Sequence, residues 1–393
     1  MERVRRKVLI PTEPGIGIGA NTTYRRKEGV ELLQIIERSI ASDTFGKFLG
    51  RMSKDNGKTW SEASLIFEPK ETQGGVLRWG ENAFLLDEEK DVLILFYNYH
   101  LYPERLFTGD VERFTRIFYK MSWDGSISFS EPEQLIQEGY GAENWAKDVV
   151  FGKNNAAVSF CAPIKTRKGK IVLPIQKCPI DADFRNPWLI KWEAGCFIGE
   201  WKGKNIKWEP SQMSKIDAGL SSRGLCEPAI AELNGGLSLM VCRGSNFRMS
   251  SVPGYKWYSL SRDGGYIWSH VSPFCYDDGG EFFSPATGSR LIRSTRNGKL
   301  YWIGNIVPEN PDGNRPRYPL QIAEVNENKI GLRKDSVVVI DDRREDDSPL
   351  VQLSNFKVYE DRETGVFVLT MARYQEKGEE LTSPAYEYRI NII

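Results

Sequence analysis

One octapeptide pattern recurs along this chain, and a repeat of that kind restricts the possible folds more than any other feature of the sequence. Ser53-Lys-Asp55-Asn-Gly57-Lys-Thr59-Trp60 and Ser261-Arg-Asp263-Gly-Gly265-Tyr-Ile267-Trp268 share the pattern S-x-D-x-G-x-(T/I)-W, and Ser122-Trp-Asp124-Gly-Ser126-Ile-Ser128-Phe129 is a softer third copy. Asp55 and Asp124 stand 69 positions apart, and Asp124 and Asp263 stand 139 apart, about twice that period, so one degenerate copy is expected between them. A chain of 393 residues holds about 5.7 such periods. That count predicts an all-β, six-bladed β-propeller with about four short strands per sheet, each sheet burying its face on the next.

The octapeptide has a local physical logic. Its Asp caps its own turn through side-chain to backbone hydrogen bonds, its Gly takes the positive φ, and its aromatic residue packs under the hairpin. It is therefore read as a staple, not as a site. Apolar runs at Val92–Tyr97, Lys170–Pro174, Leu237–Val241, Lys299–Ile303 and Val366–Thr370 read as core strands. With 36 Gly and 12% aromatic residues, the composition suits many short strands and tight turns. No Pro/Ser linker or composition break divides the chain, so residues 1–393 are expected to form one domain.

Lys+Arg and Asp+Glu balance at 53 each, which argues against nucleic acid or an anionic membrane as partner. The opening residues lack a signal-type apolar core before Pro11 and no later run approaches a membrane span, so the expected location is cytoplasmic, or secreted or periplasmic if a signal has been trimmed. Six scattered cysteines (Cys161, Cys178, Cys196, Cys226, Cys242, Cys275) form no C-x-x-C pair, and with two histidines, His100 and His270, they suggest neither a metal site nor a cofactor. Buried free thiols are expected.

Beyond the octapeptides, three stretches carry a family resemblance: Gly224-Leu-Cys-Glu227-Pro-Ala-Ile-Ala-Glu-Leu-Asn-Gly-Gly-Leu-Ser-Leu-Met-Val-Cys-Arg243, then Ser284-Pro-Ala-Thr-Gly-Ser-Arg290, then Arg317-Tyr-Pro-Leu320. With them the chain resembles the sialidase-like propeller superfamily, in its Asp-box (bacterial neuraminidase repeat) exo-sialidase branch. The resemblance implies a glycoside hydrolase acting on a terminal, acidic sugar of a glycan, with carbohydrate as partner. Such a sugar bears a carboxylate at its anomeric carbon, and guanidinium groups clamp a carboxylate bidentately without deprotonating. By motif position Arg243 resembles the second arginine of the family's triad and Arg317 the third. Arg25 or Arg26 is the candidate for the first, and Arg290 is a further substrate-binding candidate.

The substrate's own carboxylate would repel an acidic nucleophile, and the family uses a tyrosine with a glutamate base instead of two carboxylates. Glu227, 16 residues before Arg243, matches that glutamate, and Asp43 lies in the region of the family's acid/base aspartate. The chain departs from the pattern at the nucleophile. In the matching stretch Asn355 stands where the tyrosine belongs; Tyr359, an even number of residues along a strand, shares its face, and Tyr374 and Tyr318 are the other tyrosines considered. Two alternatives keep the fold: a lyase or hydrolase on a uronic acid, in which a Tyr or a His, His100, takes a proton, and a glycan-binding propeller without catalysis.

Overall fold

The octapeptides sit where their turn chemistry predicts strand ends. In a computed structural model, which describes residues 3–392 except 42, 104–112, 161, 185, 187–188 and 379, each closes the hairpin between the third and fourth strands of a sheet. Ser53 Oγ donates to Asp55 Oδ1 (2.8 Å), the Gly57 N–H donates to Ser53 Oγ (2.8 Å), and the Thr59 N–H and hydroxyl both donate to the Asp55 carboxylate. The same serine and backbone bonds recur around Asp124 and Asp263, and the hydroxyl bond recurs at Asp124 through Ser128. Accepting from Thr59 holds the Asp55 carboxyl down at about 2.

Six sheets of four or five antiparallel strands form the six blades of a propeller, and a separate pair, Asn144–Ala146 with Val149–Val150, lies between the second and third. Listed from the inner strand outward, blade I runs Gly17–Tyr24, Leu32–Ala41, Thr44–Ser53 and Ser64–Phe67. Blade II is built on Gly75–Asp87, Val92–Tyr102 and Phe114–Ser122, and blade III on Ala156–Ala157, Ile171–Lys177, Glu193–Lys202 and Asn205–Pro210. Blade IV runs Cys226–Glu232, Ser238–Arg243, Lys256–Ser261 and Ser272–Pro273; blade V has Arg290–Arg293, Leu300–Asn305 and Leu320–Asn326 at its centre. Blade VI takes Lys357–Glu360, Phe367–Ala372 and Ala385–Ile390 from the end of the chain and its outer strand, Val4–Ile10, from the start, in register Val4↔Ile390 to Val8↔Tyr386. Pairing first strand with last closes the ring.

The five apolar runs seen in the sequence are the second strands of blades II to VI. They are buried end to end because each has strands on both sides and a neighbouring blade on each face, so their sequences read as continuous apolar runs. The degenerate octapeptide expected between Asp124 and Asp263 is not there. The equivalent hairpin of blade III has contracted to Gly203-Lys204 between Trp201↔Ile206 and Lys202↔Asn205 pairs, with Gly203 at φ 67°. Cys178, Cys196, Cys226, Cys242 and Cys275 are free thiols, while Cys161 lies outside the described residues. Among the described residues no helix is long and apolar enough to cross a membrane, and no group of three or more His, Cys, Asp or Glu residues is arranged to hold a metal ion.

Candidate active site

Antiparallel pairing gives every blade two ends. One carries the octapeptides and the links between first and second strands; the other carries the links between second and third strands and the starts of the inner strands. This second end is the mouth. Residues predicted far apart in sequence meet there.

Arg243 ends the second strand of blade IV, opposite Cys226 on one side and Lys256 on the other. The inner strand bulges between Cys226 and Ala229, with Pro228 supplying no N–H at the break and Glu227 at φ 47°. A positive φ is costly for a residue with a Cβ, and such backbone is retained mostly at functional positions. The bulge turns the Glu227 side chain to Arg243, whose Nη1 donates to Oε1 at 2.6 Å. Burial works against the charge on Arg243, but Glu227 outweighs it and holds the guanidinium above its ordinary value. The other oxygen, Glu227 Oε2, is buried and has no hydrogen-bond partner among the described residues.

Arg317 reaches the same cluster from the loop joining the second and third strands of blade V. Its acceptors are all neutral: Gln352 Oε1 (2.6 Å), the Asn314 carbonyl (3.2 Å) and Ser354 Oγ (3.4 Å). Among the described residues it forms no ion pair, and burial, then the nearby charge of Arg243, lower it to about 10. Arg223, in the loop entering blade IV, is likewise lowered by burial and by Arg243, and it also feels Asp43 and Glu227. Asp43 itself sits exposed at φ 51° in the turn joining the second and third strands of blade I. Its carbonyl accepts from Arg113 Nη1 (3.0 Å).

Blade II adds a carboxylate. Glu81 lies in the bulge between Trp79 and Asn82, accepts from Asn98 Nδ2 (3.2 Å) and stands 3.9 Å from His100 Nε2. Burial would raise it, but His100 and then Arg113 outweigh that and hold it at about 2. His100 is only 2% exposed, pairs through Nδ1 with Thr115 Oγ1 (2.9 Å), and fits because Gly80 has no side chain where a Cβ would strike the imidazole.

The tyrosines divide between the two ends. Tyr359 is at the octapeptide end: its ring meets Tyr24 edge-on at 5.9 Å and its hydroxyl approaches Gly57. Tyr374, in the blade VI loop, is at the mouth, where its hydroxyl pairs with Ser39 Oγ (3.1 Å) and burial pushes it up to about 12. Its ring fills the space beside Gly17, where a Cβ would collide with it. The Leu353–Asn355 segment does lie against Arg317, through the Leu353 N–H to Arg317 O bond (2.9 Å) and Ser354 Oγ, but the residue there is Asn355, at φ 54°.

Arg25 and Arg26 follow the inner strand of blade I at the octapeptide end. Arg25 binds Ser126 Oγ (2.8 Å) and Glu31 (3.1 Å), and Arg26 binds Asp91 (2.7 Å), so the structure separates both from the mouth cluster. Arg290 is at the mouth end of blade V but buried, its guanidinium 4.4 Å from the centre of the Phe160 ring. Phe160, at φ 45°, leaves the line of blade III and meets Phe356 of the opposite blade VI edge-on at 5.1 Å. These rings plug the axis, and Arg290 belongs to that floor. Arg223, Arg113, Glu81 and Lys256 went unread in the sequence because none falls in a motif.

The six-bladed ring has the fold of the sialidase propellers. Residues 48–348 match the model of the BNR repeat-like domain, and the chain belongs to that family. Its fold is similar to that of the intramolecular trans-sialidase from Ruminococcus gnavus (TM-score 0.63, 12% identity, 97% of this chain and 94% of that one). It is also similar to the NanB sialidase from Streptococcus pneumoniae (TM-score 0.62, 14% identity, 95% and 68%) and to Trypanosoma rangeli sialidase (0.63, 12%, 99% and 60%). At these identities the likeness is one of fold. No curated protein matches the chain in sequence.

Proposed function

We propose that the protein is a glycoside hydrolase that removes a terminal, carboxylate-bearing, sialic-acid-like sugar. The observation that carries this reading is Arg317, a guanidinium with neutral acceptors only, set beside a second arginine whose charge it already feels. Four guanidinium groups, Arg113, Arg223, Arg243 and Arg317, face three carboxylates, Glu81, Glu227 and Asp43, so the mouth favours an anion. Arg243 and Arg317 then form the clamp, with Arg223 in the third position in place of Arg25 or Arg26.

Hydrolysis needs a group to protonate the leaving oxygen and a base on the other side of the anomeric centre. Asp43, at the rim, suits the first role, and the unpartnered Glu227 Oε2 suits the second. Tyr374 stands at the mouth, as does the blade V loop that carries Tyr318, and Tyr359 does not. The uronate-directed alternative loses its histidine form, because His100 is buried behind Gly80 and stands beside Glu81.

The test is release of free sugar from aryl and natural sialosides and uronides by the purified protein, with sugar binding measured in parallel. Release of the acidic sugar is expected. Binding of acidic sugars with no release from any glycoside would overturn the hydrolase reading and leave a glycan-binding propeller.

A further inference from the structure

The mouth contains a charge that the proposed reaction does not use. Lys256 begins the third strand of blade IV, directly across from Arg243, and is 0% exposed. A buried ammonium is normally paired with a carboxylate. Lys256 Nζ instead donates to the Pro285 carbonyl (2.9 Å), the Thr287 carbonyl (2.5 Å) and Thr287 Oγ1 (3.4 Å). These atoms belong to the segment that leads into the inner strand of blade V, so one side chain ties the arginine-bearing edge of blade IV to its neighbour. The charged groups it faces are Arg243, Glu227 and Arg317, and Glu227 is already paired with Arg243.

We infer that Lys256 is a positioning residue that supports and charges the arginine clamp from beneath, so that capture of an acidic sugar is coupled to retention of a proton on this lysine. The inference rests on the acidic-sugar reading of the site. In the empty site, burial, then Arg243, bring the ammonium down to about 7. A carboxylate arriving between Arg243 and Arg317 is an opposite charge and favours the protonated form. Affinity for an acidic sugar is therefore highest below the lysine's titration point and falls as pH rises through it, by up to about tenfold per pH unit. The arginines facing it do not titrate in that window: Arg243 is held above its ordinary value and Arg317 stays near 10.

The experiment is calorimetric titration with N-acetylneuraminic acid and with glucuronic acid, from pH 6 to pH 9, on the wild type and on Lys256→Met. For the wild type, Kd is expected to rise across pH 7 to 9. For the variant, Kd is expected to be about tenfold weaker at pH 6 and flat across the range. Repeating the wild-type titration at pH 8 in two buffers of different ionisation enthalpy reads the coupling without any variant: uptake of close to one proton per bound sugar is expected, and none would overturn the inference should Lys256→Met fail to fold. Binding with the same pH dependence in both proteins overturns the role of Lys256 and leaves the acidic-sugar site standing. Failure of both sugars to bind at any pH overturns the reading of the site, and this inference with it.

Discussion

Replacing Glu227 by Gln separates binding from chemistry at the mouth. The exchange keeps the volume and one acceptor for Arg243 Nη1, now 2.6 Å from Oε1, but removes a negative charge from a pair whose side chains are 16% and 13% exposed. Breaking a buried pair outright costs about 3–5 kcal/mol, and retaining a neutral acceptor reduces that to about 2 kcal/mol. In a chain of this length that is a fall in Tm of roughly 2–4 °C. Affinity should move the other way. Removing an anion about 6 Å from an incoming carboxylate, at an effective dielectric of about 20 and with partial screening, relieves about 1–2 kcal/mol of repulsion, roughly a five- to thirtyfold tighter complex. Turnover should fall about 10²- to 10⁴-fold as the base is lost. Titration calorimetry with N-acetylneuraminic acid and a sugar-release assay on the same preparation read both effects. Turnover within tenfold of the wild type, or affinity that falls together with turnover, would refute the reasoning and reduce Glu227 to a prop for Arg243.

The fold was legible in the sequence because the elements that build it act locally. Asp55, Asp124 and Asp263 each satisfy their own turn, so their spacing survives as a period, and the second strands read as apolar runs because both faces are covered. The missing copy in blade III shows the limit of that reading. A two-residue hairpin with a glycine does the same work, so a period can skip a blade without changing the fold. Half the site was legible for a similar reason, since Glu227 and Arg243 lie on paired strands of one sheet and keep a fixed separation. What could not be read is set by which end of a strand a residue occupies. Tyr359 and Arg25 lie on or next to inner strands, yet they face the octapeptide end, and a period of two says which face a side chain takes but nothing about the end. Arg223, Lys256 and Tyr374 come together only when loops of different blades meet around the axis.

Two predictions follow from that division into ends. Asp55→Asn removes a carboxyl held at about 2 against about 3.9 in the unfolded chain, so the stability it supplies is present above pH 4 and is lost as pH falls towards 2. Thermal melts should show the variant less stable at pH 7 and the gap from wild type closing between pH 4 and 2; a constant gap would mean the carboxylate's charge is irrelevant to the turn. The tyrosines provide the sharper comparison. Tyr374→Phe deletes a hydroxyl that pairs with Ser39 at the mouth, beside Asp43, while Tyr359→Phe deletes one near Gly57 at the far end of the blades. If the mouth carries the chemistry, Tyr374→Phe should lower kcat on an acidic glycoside by about 10²-fold or more, and Tyr359→Phe should leave it within about twofold. The opposite ranking would place the reacting centre at the octapeptide end, where Arg25, Arg26 and Tyr359 lie, and the carboxylate clamp built on Arg243 and Arg317 would have to be abandoned.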